Sequence, residues 1–297
     1  MSRLGFNLSF WSKFLTRAFD DYSPDVENLI NKEQVDYYCK LSSKTKIENS
    51  ISYSQINLFK NSGYSYDLYN ILYPFRREIK FHYLAGDITT VPSQPTFLKS
   101  RPIDEMNINS VLLPLDSHRH FRFVDDKKEF NSKINGMVWR GAAYQVHRKE
   151  FLNKCYHLSS GNFGNTAVSK NKGIQFQRPR MSIKQQLEYK FIISLEGNDV
   201  ASNLKWILSS NSVCMMPKPK FESWFSEGKL VANKHYIEIK DDYSDLEERF
   251  EEFNNDIDAC EHIIKNANKF TREFYSKRKM LEIARMTAMK YMEFTDA

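Results

Sequence analysis

A chain of 297 residues holds one large domain or two of ordinary size, and 41% hydrophobic with 27% charged residues is the balance of a globular protein. Its 22 Phe and 16 Tyr exclude an intrinsically disordered chain, and sparse glycine and proline exclude collagen-like, mucin-like or linker-rich regions. The net charge of +6 is a modest excess, unevenly spread: no acid lies between Glu150 and Glu188, whereas Lys154, Lys170, Lys172, Arg178, Arg180 and Lys184 do, which suits a polyanion such as a nucleotide diphosphate, a lipid phosphate or nucleic acid.

In chain order, residues 1–19 carry Arg3, Phe6, Leu8, Phe10, Trp11, Phe14 and Leu15, but Asn7, Ser9, Ser12 and Lys13 interrupt the run, so no signal-peptide core forms. The expected form is an amphipathic helix packed on its own domain; the other form is one lying on a membrane, with Lys13 and Arg17 toward headgroups. The first seventy residues read as helical. Residues 77–84 (REIKFHYL) have strand content and run into Ala85-Gly86-Asp87, followed by a loop punctuated by Pro92, Pro95 and Pro102. Residues 110–115 (SVLLPL) and 121–124 (FRFV) are further strand candidates.

The second half has a cleaner pattern. Met137-Val138-Trp139 predicts a strand ending at Arg140-Gly141-Ala142-Ala143, with a helix to about Tyr156. The runs 191–195 (FIISL) and 213–216 (VCMM) flank a helix predicted over residues 200–209, a strand–loop–helix–strand unit that builds parallel sheets. Residues 236–239 add a strand. Ser244-Asp245-Leu246-Glu247 reads as a capping box, followed at helical spacing by Leu246, Phe250, Phe253 and Ile257, then Ile263, Ile264, Ala267, Phe270 and Phe274. The whole is α/β, with two Rossmann-like domains expected over residues 1–132 and 133–297 and a cleft between them. Cys39, Cys155, Cys214 and Cys260 show no metal-ligand spacing and fit a reduced compartment, Cys155 and Cys214 as small hydrophobes.

Two strand-end loops carry candidate chemistry. Glu196-Gly197-Asn198-Asp199 follows a predicted strand, where Gly197 lets backbone approach a ligand and Ser202 and Asn203 can donate from the first helical turn. Lys205, one turn on, can supply charge to a diphosphate. Against this stands an ordinary helix start capped by Asp199, which spacing alone favours. Trp139-Arg140-Gly141 repeats the arrangement, with Arg140 either gripping a phosphate or salt-bridged to its neighbours. Asp256-Ile257-Asp258 resembles a metal-binding DxD, but Ile257 on the core face of an amphipathic helix makes it a solvated helix surface. His118-Arg119-His120 offers phosphate or acceptor contacts, without a third ligand for a metal.

From residue 137 to about 274 the chain resembles glycosyltransferase family 90, which holds bacterial lipopolysaccharide glycosyltransferases, fungal capsule xylosyltransferases and animal protein O-glucosyltransferases. The resemblance rests on Val138-Trp139-Arg140-Gly141-Ala142, Tyr189-Lys190-Phe191-Ile192, Leu195-Glu196-Gly197-Asn198-Asp199-Val200-Ala201-Ser202-Asn203-Leu204-Lys205-Trp206, Asn211-Ser212-Val213, Trp224-Phe225, His235-Tyr236-Ile237 and Asp245-Leu246. The Gly197-to-Trp206 form is that of the bacterial branch. The resemblance implies a GT-B-type enzyme that inverts the anomeric centre with no metal and no cofactor beyond its UDP-sugar donor. Donor contacts would fall on Arg140, Gly141, Gly197, Asn198, Asp199, Ala201, Ser202, Asn203 and Lys205. Asp87, in Asp87-Ile88-Thr89-Thr90-Val91-Pro92, would be the base, although its local sequence reads first as an Asx turn. Where animal members carry an arginine, this chain has Asn203, so phosphate neutralisation would fall on Arg140 and Lys205, with Arg101. His118 and Arg119 would contact phosphate or acceptor. The implied partners are a UDP-hexose, glucose or galactose, and lipopolysaccharide core, with the chain peripheral on the cytoplasmic face of a bacterial inner membrane. A capsule or other glycan acceptor is the alternative. A nucleic-acid role would need an aromatic platform or a helix-turn-helix that the sequence lacks.

Overall fold

The computed structural model describes residues 32–60, 62–167 and 175–296, so the amphipathic segment at residues 1–19, together with Lys170 and Lys172, lies outside the described residues. The chain forms two compact units, Met1–Ser117 with Ser276–Ala297, and His118–Tyr275.

In the first unit, α1 (Lys32–Tyr38), β1 (Ile51–Ser52), α2 (Ser62–Leu72), β2 (Lys80–Phe81), β3 (Thr96–Leu98) and β4 (Ser110–Leu112) precede a C-terminal helix, Lys277–Phe294. β1 and β2 are antiparallel, β3 and β4 are parallel with Phe97 opposite Val111, and Tyr83 bridges to Phe97. The strand expected over residues 77–84 shrinks to Lys80, Phe81 and the Tyr83 bridge, because the amides of Glu78 and Ile79 both donate to Phe75 O and prolong the preceding turn. The C-terminal helix belongs here, unlike in the division drawn at residues 132/133. Its Ala284, Ala288 and Tyr291 join Leu68, Leu72, Phe75, Phe81 and Phe97 in one core. Tyr291 packs on Phe97 with ring centroids 4.3 Å apart, and its hydroxyl donates to Pro95 O at 3.0 Å. That apolar stripe pairs the last helix with the first unit.

The second unit is built on one five-stranded parallel sheet: β5 (Ile134–Gly141), β6 (Gly161–Asn165), β7 (Tyr189–Ile193), β8 (Val213–Met216) and β9 (Ile237–Glu238). The strands lie in the order β6-β5-β7-β8-β9, so the connections reverse direction at β5 and β7. In register, Met137 faces Phe191 and Phe191 faces Val213, and these side chains are fully buried. Burial on both faces explains why the strands read as continuous apolar runs. The longer or site-forming helices of the unit are α3 (Val146–Cys155), α4 (Leu204–Leu208), α5 (Leu246–Asn254) and α6 (Ile257–Arg272). Its core joins Trp139, Phe151, Phe163, Phe191, Phe250 and Ile263.

Several local expectations change. β6 has no counterpart among the expected strands, since GNFGN offers a single apolar side chain and otherwise reads as a turn. Residues 121–124 form no strand; Phe121 stacks on Trp224 at 4.9 Å and Phe123 packs on Tyr275. The capping box expected at Ser244 does not form: the N-cap is Asp245, whose Oδ1 accepts the Lys240 amide rather than one from the helix. Asp256 caps α6 through the Ala259 amide, and Ile257 is 41% exposed rather than facing the core. All four cysteines are buried free thiols, with burial pushing Cys155 up to about 11. No helix among the described residues is long and apolar enough to cross a membrane.

Candidate functional site

Ligands in open parallel sheets bind beyond the carboxyl ends of the strands, at the point where connections reverse. A cavity of about 440 Å³ lies at that edge of the second unit. The segment after β5 contributes Gln145, Val146 and His147; the one after β7 contributes Ser194 to Asn198, Val200, Ala201 and Leu204; the one after β8 contributes Met216 to Phe221; and Asp241 and Tyr243 come from beyond β9.

The loop after β7 is held open by a frame of hydrogen bonds. Arg148 donates from Nε to Glu196 O at 2.8 Å, from Nη2 to Leu195 O at 2.9 Å and from Nη1 to Ala142 O at 3.0 Å. Burial lowers the Arg148 pKa, yet the guanidinium stays a donor, fixing the loop to the start of α3. His147 Nε2 lies 2.8 Å from Glu196 O, and Gln145 Nε2 donates to Asn198 Oδ1 at 3.1 Å. Glu196 Oε1 accepts the amides of Lys220 at 3.0 Å and Phe221 at 3.1 Å, joining this loop to the one after β8. Burial pushes the Glu196 carboxyl up to about 7, against the pull of those two amides.

Of the expected donor residues, Gly197, Asn198 and Ala201 line the cavity, whereas Arg140, Gly141, Asp199, Ser202, Asn203 and Lys205 do not. Helix α4 starts only at Leu204, so Asp199 is not its cap, and the predicted helix loses its first turn. Asn203 folds back, donating to Ile193 O at 3.2 Å and accepting Ser194 Oγ at 3.0 Å. Lys205 is fully buried against Glu227 at 2.7 Å, and Glu227 also accepts the Ser223 amide at 2.6 Å. Its ammonium lies over the Trp224 and Phe225 rings, where a charge is tolerated because it is paired.

Arg140 is engaged in the same way. Its guanidinium donates to Trp139 O, Asn162 O, Asn162 Oδ1 and Pro179 O at 2.7–3.1 Å, stitching β5 to β6. Burial first, then the neighbouring Arg178, lowers its pKa. Gly141 is required for packing: a Cβ there would meet Trp139 Cζ2 at 2.6 Å. In the first unit Arg101 is buried and donates to Tyr37 O at 2.7 Å and Ser110 O at 2.9 Å. Asp87 follows Gly86, whose φ of +109° suits only glycine, and its Oδ1 accepts Lys99 Nζ at 2.7 Å. Lys99 is buried and Asp87 is 30% exposed by its side chain. His118 and Arg119 lie exposed on a short helix and do not line the cavity.

Sequence reasoning missed Lys218 and Lys220, the cationic lining residues of the cavity. Lys220 pairs with Asp241 at 2.9 Å, while Lys218 forms no ion pair among the described residues. Their signal was available: Pro217-Lys218-Pro219-Lys220 follows a strand as directly as the Gly197 loop does.

A parallel α/β sheet with a ligand-sized pocket beyond its strand ends defines a class in which loops, rather than the sheet, set the chemistry. Comparison with known proteins specifies the chemistry. The profile of glycosyl transferase family 90 matches residues 104–288. The O-glucosyltransferase LpsA of Dichelobacter nodosus is 44% identical over 237 residues, 80% of this chain and 74% of that protein. Uncharacterized protein 179R of Invertebrate iridescent virus 6 is 28% identical over 119 residues, 37% of this chain and a tenth of its own length. The chain belongs to glycosyltransferase family 90 and is a glycosyltransferase.

Proposed function

We propose that this enzyme moves a hexose from a UDP-sugar to lipopolysaccharide core, with inversion and without a metal. The observation that carries the reading is the cavity beyond β5, β7, β8 and β9, walled by Glu196, Gly197, Asn198 and Ala201 of the family motif. A methyl group placed on the motif's glycine would find nothing nearer than Arg148 Nη2, 3.7 Å away, so donor backbone contacts are sterically free. Lys218, rather than Arg140, Lys205 or Arg101, is the cation for the diphosphate, because those three direct their donors at the protein's own carbonyls and carboxylate. The similarity to an enzyme named O-glucosyltransferase LpsA favours glucose as the sugar and lipopolysaccharide as the acceptor. The second unit is the donor-binding half of a GT-B-like enzyme, acting at the inner face of the bacterial inner membrane.

In this mechanism Asp87 removes the proton from the acceptor hydroxyl as its oxygen attacks the sugar's anomeric carbon, the bond to the diphosphate breaks, and UDP leaves. Lys99 orients the carboxylate by holding Oδ1. The test supplies UDP-glucose and UDP-galactose separately, with truncated lipopolysaccharide and a chelator. Acceptor-dependent UDP release with UDP-glucose is expected. Asp87→Asn should lower turnover by at least about a hundredfold, the range of a lost general base, while leaving UDP-glucose binding unchanged. Near-normal turnover by that variant would remove Asp87 from the mechanism.

A further inference from the structure

Glu196 is an unexpected group on the wall of a pocket proposed to hold a dianion. Its backbone carbonyl is fixed by His147 and Arg148 at the start of α3, and its side chain reaches the segment after β8. In residues 217–221, Pro217 and Pro219 have no amide hydrogen, leaving the amides of Lys218, Lys220 and Phe221. Glu196 Oε1 takes the last two of these. The carboxyl therefore holds the segment that carries Lys218 and Lys220, and Lys220 is further tied to Asp241.

We propose that Glu196 is the positioning residue of this pocket: through the Lys220 and Phe221 amides it sets the segment at residues 217–220 so that the Lys218 ammonium meets the diphosphate of the bound sugar nucleotide. The proposal rests on the reading of the cavity as the donor site. Glu196 acts through Lys218 and does not touch the reacting atoms.

Its charge matters as well as its shape. The groups around it are His147 and Arg148 from α3, Lys218 and Lys220 from the segment it holds, Asp241 and Tyr243 from beyond β9, and Glu227, which Lys205 neutralises. Burial pushes the Glu196 carboxyl up to about 7, opposed by the Phe221 and Lys220 amides; Glu227 raises it and the Lys220 ammonium lowers it. A dianionic ligand in the same cavity favours the neutral acid, so binding takes up a proton and weakens as pH rises through 7. Oε1 accepts the two amides in either protonation state, so the segment stays in place when the proton binds.

The experiment measures the Kd of UDP-glucose, together with KM and kcat, from pH 6 to 8. The pyrophosphate diester of this probe has no titration in that range, so a slope belongs to the protein. Glu196→Ala frees the segment and should raise Kd and KM about tenfold, the scale of one charge-assisted contact, with kcat unchanged. Lys218→Ala should do the same. The double variant should be no worse than either single one, because both remove one interaction. Glu196→Gln keeps an accepting oxygen and should restore wild-type affinity at pH 6 while abolishing the slope. Full additivity of the two alanine variants would overturn the proposal, as would a slope that persists in Glu196→Gln. Loss of kcat in Glu196→Gln with intact donor affinity would also overturn it, by making Glu196 a participant in the chemistry. If the wild type itself fails to bind UDP-glucose, the donor-site reading falls and takes this proposal with it; unchanged variants of a binding wild type sink this proposal alone.

Discussion

After β5 the chain turns into α3 with its own side chains filling the turn: the Trp139 indole lies against Gly141, and the Arg140 guanidinium is directed at Asn162 and Pro179. After β7 it travels through residues 194–203 before α4 begins, and the detour leaves a cavity. Both strands are interior to the same sheet, both are followed through a charged residue and a glycine at or just past the strand end, and a cation comes after each. The difference lies in what occupies the space beyond the strand end. A large aromatic at the last buried position of β5 fills it from within. The position of β7 level with Trp139 is Ile193, smaller than an indole, and Arg148 holds the loop that follows by its carbonyls. A strand-end glycine is therefore a packing glycine in one case and a cavity-lining glycine in the other.

The largest effect should come from the cation that follows the open loop and was expected to serve a ligand there. Lys205→Met leaves the Glu227 carboxylate buried without its partner and should cost about 3–5 kcal/mol, read as a lower denaturant midpoint. Had Lys205 instead served a diphosphate, the variant would keep its stability and lose donor affinity. Adding Glu227→Leu to that variant should recover part of the loss, since the uncompensated charge goes with it.

Next in size is Gly141→Ala. The new methyl would sit 2.6 Å from Trp139 Cζ2, and that ring is pinned by Phe151 at 5.5 Å, so it has little room to yield. Overpacking of this kind costs about 1–3 kcal/mol. Thermal unfolding should show the loss, and the folded fraction should bind UDP-glucose normally. Weakened binding at unchanged stability would mean that the two loops are alike after all.

The elements that are legible in the sequence and those that are not divide along the same line. Strands β5, β7 and β8 announce themselves because burial on both faces demands an unbroken apolar run, as in Phe191, Ile192 and Ile193. β6 stays hidden because its fit depends on glycines, with Gly161 and Gly164 leaving room for the Phe163 ring and the Arg178 stem. The family motif marks Gly197, Asn198 and Ala201, which do line the cavity. It cannot show that Arg140 and Lys205 point inward, since their partners, Asn162 and Glu227, lie 22 residues further along in each case. Lys218 escapes a search confined to glycine loops; the strand-end rule applies equally to a proline-rich one.

The smallest structural change carries the sharpest functional contrast. Gly197 has no positive φ, and a Cβ built on it meets only Arg148 Nη2 at 3.7 Å and Asp199 O at 4.0 Å, ordinary van der Waals separations. Gly197→Ala should therefore change stability by less than about 0.5 kcal/mol, as for a substitution that disturbs no packing. The methyl would nonetheless occupy the wall of the cavity. If the donor's diphosphate lies against that backbone, KM for UDP-glucose should rise by about tenfold or more, one contact's worth of binding, while the melting temperature stays put. Parallel melting curves and donor titrations of Gly141→Ala and Gly197→Ala then form a crossed pair, each variant failing in the assay the other passes. An alanine at 197 that binds UDP-glucose as the wild type does would move the donor away from this loop and leave its glycine without a ligand to explain it.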